Sequence, residues 1–411
     1  MVNSIAHTLT PIEQALEQIL ATLQVRADTE RVSLGDALRR VLSQGLVASM
    51  NVPAYDNSAM DGYAIASAAL QAGQSRFPIS QRIPAGSVGQ TLHAGSVARI
   101  FTGAPMPPAS DAVVMQENCR ADGDFVDILQ PVRAGENVRK AGADIATGEL
   151  LFQAGHRLRA PDIGVLAGVG LQEVEVYRPL RVALLTTGNE LVHPGQSLQA
   201  GQIYNSNFYM LGALLKQLGH EVIDCGIVAD SLDATRNTLR HAAQVADCII
   251  SSGGVSVGEE DHVRQAVVDT GSLAFWKLAI KPGKPFAFGE VGGKPFFGLP
   301  GNPVSSFINF VLVVRPCLDR LGGIIPEPEL PWQLPADFAR ERSGVRQEYL
   351  RVRCIHEHGN HLRMQLTGNQ SSGVLSSVSH CDGLAVVPPN SAVARGDLLR
   401  FLPLNAIVGH V

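Results

Sequence analysis

Three stretches of the chain set carboxylates beside small, turn-forming residues. They are Thr187-Gly188-Asn189-Glu190, Ala229-Asp230, and Ser251-Ser252-Gly253-Gly254-Val255-Ser256-Val257-Gly258 followed by Glu259-Glu260-Asp261. A glycine loop that opens a helix offers an anion its backbone N–H groups and the positive end of a helix dipole. Carboxylates in the same place would repel that anion unless a divalent cation lay between them. Mg²⁺, held by one or two carboxylates plus phosphate oxygens, is the ordinary solution. Taken singly, Glu190, Asp230 and the Glu259–Asp261 run read as helix caps or solvated loop acids. Converging on one rim, they read as a site.

The opposite charge comes next. Trp276-Lys277-Leu278-Ala279-Ile280-Lys281-Pro282-Gly283-Lys284-Pro285 places three lysines in an otherwise apolar stretch. Even spacing predicts one strand with Lys277 and Lys281 on the same face, and Lys284 follows a Pro-Gly turn. Among Trp276, Leu278, Ile280 and Phe286, these lysines read as an anion pocket. Pro300-Gly301-Asn302-Pro303-Val304-Ser305 then makes a stiff turn before a helix, and its hydroxyls and amides are candidates for the same pocket; alone it is a helix-start turn. Two polar stretches lie far upstream, Asp56-Asn57-Ser58-Ala59-Met60-Asp61-Gly62-Tyr63-Ala64 and Phe101-Thr102-Gly103-Ala104-Pro105. Such residues are also the ordinary vocabulary of turns, so the residue types leave ligand and turn equally open.

The elements that must position these residues follow from periodicity. Val182–Leu185, Glu221–Val228 and Cys248–Ile250 are apolar strand runs. They alternate with helical patterns over Phe208–Leu218, Ser231–Val245 and from about Glu260 to Val268. This alternation predicts βαβ units and a doubly wound, mostly parallel sheet covered on both faces, with ligands beyond the carboxyl ends of its strands. Residues 1–50 read as helical, with an N-cap at Thr10, Pro11 in the first helical position, and a second helix over Ser33–Ser43. Residues 51–143 read as an inserted β-rich module, for instance at Val97–Phe101 and Ala112–Met115. Short strands such as Tyr349–Arg353 predict a closing β-domain after Pro326-Glu327-Pro328.

Composition bounds the partners. The 411 residues allow two to four domains, and a net charge of −5 argues against a general nucleic-acid binder. Six dispersed cysteines fit reduced thiols rather than a disulfide framework or a zinc site. With no secretory leader pattern and no long apolar run, the expectation is a cytoplasmic protein that does not span a membrane.

The stretches "DNSAMDGYA", "TGAPMP", "TTGNEL", "SSGGVSVGEED", "KLAIKPGKPFAFG" and "GLPGNPVSS" resemble, in order and across essentially the whole chain, the motif series of the MoeA family of molybdopterin molybdenumtransferases, which includes the E domain of gephyrin. The resemblance implies four domains: a helical stem (1–50 and 144–178), the inserted β-module (51–143), an α/β domain of the MogA type (179–326) and a small β-barrel-like domain (327–411). It implies a homodimer whose active sites are shared between subunits, and contact with other cofactor-synthesis proteins. The implied reaction joins molybdate, as substrate, to adenylylated molybdopterin and releases AMP with Mg²⁺ present. Carried over by motif, Asp61, Thr102, Glu190, Asp230, Ser256 and Asp261 line the nucleotide and metal side together with Gly253 and Gly254, with Glu190, Asp230 and Asp261 as metal ligands. Asp144 is a further acid of the stem. Lys277, Lys281, Lys284, Pro300, Pro303, Ser305, Arg351 and Ser372 form the anion side. Two positions depart from the pattern: Asn189 stands where the family often has Asp, and Ala143 where it often has an acid.

Two rival readings compete. An adenylyltransferase would share the α/β domain, but its glycine loop is of the Gly-Gly-Thr-Gly type and its chain a single domain. A scaffold would need a long linker or a disordered tail, and neither shows in the sequence.

Overall fold

The structure is a computed structural model, and it describes residues 9–255, 262–326, 332–357 and 361–408. The expectations at Ser256 and at Glu259–Asp261 lie outside the described residues.

The α/β sheet runs in the order Glu221–Val228, Arg181–Thr187, Cys248–Ser252, Lys294–Leu299, Pro285–Val291, Gly271–Lys277. The first four strands are parallel and the last two antiparallel. Alternation divides the strands between two cores. Val182, Leu184, Ile250, Phe297 and Leu299 pack against Leu211, Leu215, Phe307 and Ile308. Ala183, Leu185, Ile249 and Phe296 meet Leu239, Ala242, Val263 and Ala266 on the other face. Both faces are covered, as continuous apolar strands require.

The amino-terminal helix, Ile12–Thr22, begins one residue later than its sequence suggests, with Pro11 outside it. Thr10 caps nothing. Its N–H donates to the Lys277 carbonyl (2.8 Å), and its own carbonyl accepts from Ala279 (2.7 Å). Ile12, Ala15 and Ile19 join the α/β core, so by contact this helix belongs there.

The second helix expected over Ser33–Ser43 does not form. Thr29–Ser33 and Val41–Leu42 flank Glu173–Tyr177 in a three-stranded sheet, joined by a single 3-10 turn at Leu34–Asp36. Arg39 adopts φ 66°, which a helix interior does not tolerate. Pairing with a strand some 140 positions away overrode a local 3.6 periodicity. The stem adds one helix, Ala160–Gly168, over Leu42, Leu158, Val174 and Val176.

The β-module is a six-stranded sheet ordered Ala112–Met115, Gly62–Ile65, Val97–Ile100, Arg76–Ile83, Phe125–Ile128, Cys119–Asp122. Tyr63 and Ile65 enter one core and Ala64 the other, a plain period of two. The carboxy-terminal sheet is built on Gln347–Glu357, Gly383–Val387 and Leu398–Pro403. Its edge is Ile280–Lys281, lent by the preceding domain and paired in parallel with Gln347 and Glu348.

Candidate functional site

At the carboxyl ends of the parallel strands lies a floor of buried polar groups: Thr186, Thr187, Asn205, Asn207, Ser251, Ser252, Ser305 and Ser306. Such groups are stable in the interior only when hydrogen-bonded. Asn205 caps the helix Ser206–Gln217 by accepting from Phe208 N–H (3.2 Å) and donates to Thr186 Oγ1 (2.7 Å). Asn207 donates to Ser252 Oγ (2.9 Å) and to the Gly301 carbonyl (2.8 Å), while Ser252 donates to the Pro300 carbonyl (3.3 Å). The 300–305 turn is thus bolted to the strand end that carries the glycine loop.

That loop is tight. Gly253 and Gly254 have φ of 98° and 65°. A Cβ on Gly253 would stand 2.6 Å from the Thr187 carbonyl oxygen, and one on Gly254 would press on Val263. Only glycine fits both positions. Thr187 Oγ1, buried between them, has no hydrogen-bond partner among the described residues.

Asn189 and Asp230 clasp each other across adjacent strand ends. The Asn189 N–H donates to the Asp230 carboxylate (3.1 Å), and the Asp230 N–H donates to Asn189 Oδ1 (3.2 Å). An Asp at position 189 could accept that second bond equally well, so the departure from the family pattern keeps the clasp and removes one negative charge. Asp230 and Glu190 are both exposed at this rim. Among the described residues no three His, Cys, Asp or Glu side chains gather into a metal site.

The lysine segment is not one strand. Lys277 ends Gly271–Lys277, and the chain then crosses to the carboxy-terminal sheet as Ile280–Lys281. The shared face expected for Lys277 and Lys281 is therefore absent, because two sheets compete for one apolar run. Asn309 fixes the intervening turn by donating to the carbonyls of Gly283 (3.1 Å) and Pro285 (3.0 Å). Lys284 is exposed; Lys281 pairs with Glu348 at 3.1 Å. Glu348 is only 2% exposed and also pairs with Arg340 at 3.1 Å.

Arg351 is fully buried. Its guanidinium donates to Ser377 Oγ (3.1 Å) and to the carbonyl of Ser371 (3.2 Å), and reaches that of Tyr349 at 3.5 Å. None of these is a carboxylate, and among the described residues Arg351 forms no ion pair. Burial holds its pKa below the ordinary arginine value. Next to it, the Ser372 carbonyl accepts from Val304 N–H (3.0 Å). Hydrogen bonds at Gly253, Ser252 to Pro300, Val304 to Ser372 and Arg351 to Ser371 thus run from the glycine loop to the carboxy-terminal domain, with Pro303 and Ser305 flanking Val304.

Asp61 and Thr102 meet on the β-module. Both the N–H and the hydroxyl of Thr102 donate to Asp61 Oδ1 at 2.8 Å. The backbone bond first and the hydroxyl second hold the Asp61 carboxyl below its ordinary range. Asp144 is exposed, and its N–H is taken by the Val52 carbonyl (3.0 Å). No hydrogen bond or ion pair within the described chain ties Asp61 or Thr102 to the α/β rim.

Sequence reasoning missed Asn205, Asn207, Glu348 and Asn309. The Asn-Ser-Asn triplet opening a helix was a usable signal for the first two. Glu348 sits in a strand with nothing local to distinguish it.

Fold and site together define a multidomain α/β protein with a buried polar floor at its strand ends, joined through Val304 and Ser372 to a carboxy-terminal β-domain. Three family descriptions match along the chain: "MoeA N-terminal region (domain I and II)" over 10–170, "Probable molybdopterin binding domain" over 183–320 and "MoeA C-terminal region (domain IV)" over 333–404. A molybdopterin molybdenumtransferase of Haemophilus influenzae is 34% identical, covering 97% of this chain and 99% of its own length. One from Nostoc is 37% identical, covering 93% and 91%. The crystal structure of the molybdopterin biosynthesis MoeA protein of Pyrococcus horikoshii covers 96% of this chain and 99% of that one, with a TM-score of 0.82 at 28% identity. The chain belongs to the MoeA family.

Proposed function

We propose that this protein is a molybdopterin molybdenumtransferase, inserting molybdate into adenylylated molybdopterin with release of AMP. The observation that carries this reading is Arg351, a buried guanidinium satisfied by neutral acceptors and, among the described residues, left without a carboxylate. A buried cation with no counter-ion is costly on its own and becomes favourable when an oxyanion arrives. Its planar fork matches a tetrahedral oxyanion, and Lys281, Lys284 and Ser372 are assigned as further donors to it. The glycine loop is assigned to the anhydride, in the place where charge develops as it breaks, although its Gly253 N–H is taken by the Leu299 carbonyl (3.0 Å). Lys277, which precedes the crossing between sheets, is assigned to the phosphate or dithiolene end.

Mg²⁺ suits the donors present. Glu190 and Asp230 are exposed carboxylates at one rim, and an ion that takes one or two carboxylates plus phosphate oxygens needs no cage of three. Bound there, it would neutralise charge on the anhydride. Asp61 and Thr102, which among the described residues have no hydrogen bond or ion pair to the rim of their own chain, are assigned to the neighbouring site of a homodimer. A cytoplasmic setting is proposed from the six dispersed cysteines, all of them free thiols.

The test is product release. Adding molybdate to protein and adenylylated molybdopterin should liberate AMP. Formation of adenylylated pterin from ATP and molybdopterin, with no molybdate-driven AMP release, would instead establish the adenylyltransferase reading.

A further inference from the structure

On the β-module, Arg82 and Arg99 face each other in register on the parallel strands Arg76–Ile83 and Val97–Ile100. Like charges set side by side on a sheet repel. Here both guanidinium groups lie over one ring, with Arg82 Cζ 4.6 Å and Arg99 Cζ 4.5 Å from the Phe101 centroid. Cation–π attraction offsets part of the repulsion but leaves both charges in place.

Arg99 is held firmly. It donates to the Gly62 carbonyl (2.9 Å) and to Gln116 Oε1 (2.6 Å), and it also lies over Tyr63 at 5.2 Å. Gln116 in turn donates its N–H to the Asp61 carbonyl (3.0 Å). Arg82 is exposed, and among the described residues it has no hydrogen bond and no ion pair. Its five N–H donors are therefore unspent by protein, while the ring beneath limits where they point. Phe101 is followed directly by Thr102, whose N–H and hydroxyl hold Asp61. The pair thus stands beside the turn that carries the module's candidate site residues.

We infer that Arg82 and Arg99, gathered over Phe101, form an anion-recognition element of the β-module that takes a phosphoryl group of the substrate. The inference rests on the functional reading above, which supplies a phosphoanhydride for it to bind. Arg99 is the fixed member and Arg82 the arm that closes on the ligand. Two forks on one dianion give more directional hold than a solvated lysine would. Arg82 is accordingly a binding residue, and it contributes no proton transfer.

The experiment uses the full chain with Arg82→Ala and Arg82→Lys. Calorimetric titration with inorganic pyrophosphate should show affinity weakened about fivefold in Arg82→Ala, and the KM for adenylylated molybdopterin should rise by a similar factor. The KM for molybdate and the melting temperature should stay at wild-type values. Arg82→Lys should recover only part of the loss. Arg82→Gln, which keeps a polar stem over the ring, repeats the test if the alanine chain melts early. Unchanged pyrophosphate affinity and unchanged KM in Arg82→Ala would overturn the assignment. If wild-type protein releases no AMP on adding molybdate, the functional reading fails, and the pyrophosphate titration still decides the element on its own.

Discussion

The strand-end rim and the β-module turn hold their functional side chains in opposite ways. Beneath the exposed acids of the rim, the floor's polar groups are buried and cross-braced, so that Asn207, Ser252 and Pro300 fix one another before any ligand arrives. On the module, Asp61 and Thr102 brace each other on an open surface, with no hydrogen bond or ion pair to the rim among the described residues. A rigid buried floor suits the oxyanion and anhydride, whose positions must be set to within a fraction of an ångström. An open, locally braced turn suits a second surface that docks against the ligand. The contrast teaches that rim variants should damage fold and activity together, whereas module variants should damage activity alone.

The largest effect expected is for Asp61→Asn. AMP release should fall about a hundredfold while the melting temperature stays within a degree or so, the misplacement of one group being enough for the rate loss. A large fall in melting temperature would place Asp61 in the fold rather than the site.

Gly253→Ala is the counterpart at the rim. Its Cβ would collide with the Thr187 carbonyl at a φ of 98°, so activity should fall and stability should drop by about 1–3 kcal/mol. Denaturant unfolding reads both. A stable Gly253→Ala chain would mean that the rim is softer than its hydrogen bonds suggest.

Mixing Asp61→Asn chains with Lys281→Ala chains sharpens the contrast further. If the two regions complete one site across a dimer, random mixing should restore about a quarter of wild-type AMP release, since half the dimers are hybrids with one intact site each. No recovery in well-mixed dimers would mean that each chain builds its site alone.

A smaller effect on activity is expected from pH. Thr102 holds the Asp61 carboxyl below its ordinary range, so Asp61 keeps its charge to lower pH than a free carboxylate. Thr102→Val removes the hydroxyl bond, and the acid limb of kcat/KM should move to higher pH. No movement would uncouple Asp61 from the rate.

The smallest effect on activity is expected at His220, at the far end of the α/β domain. Burial there lowers its pKa to about 4, and among the described residues neither ring nitrogen has a hydrogen-bond partner. The unfolded chain binds this proton more readily, so stability is full above about pH 6.5 and is lost as pH falls toward about 4. His220→Leu should flatten that part of the stability profile and leave activity at pH 7.5 near wild type. A profile as steep as wild type would assign the acid sensitivity to another group.

Much of this was legible in advance because the α/β domain obeys local rules. Apolar runs of strand length, helix caps such as Ser231 and a glycine pair before a helix each state their structure within a few residues. What was hidden depends on distant partners. Ser33–Ser43 became strand and turn because Glu173–Tyr177 offered it a sheet edge. The Lys277–Lys281 run was split because Gln347 and Glu348 drew Ile280–Lys281 into another sheet. The same blindness covers the site. Arg351 could be named by motif, but that it is buried against neutral acceptors depends on Ser371 and Ser377, 20 and 26 residues on.

The central claim is that Arg351 receives molybdate, and titrating molybdate at saturating adenylylated molybdopterin tests it most directly. Arg351→Lys keeps a positive charge but loses the fork. The concentration of molybdate needed for half-maximal AMP release should therefore rise by about tenfold or more, while the affinity for the adenylylated pterin changes little. An unchanged molybdate dependence in a folded Arg351→Lys chain would contradict the claim and place the oxyanion elsewhere.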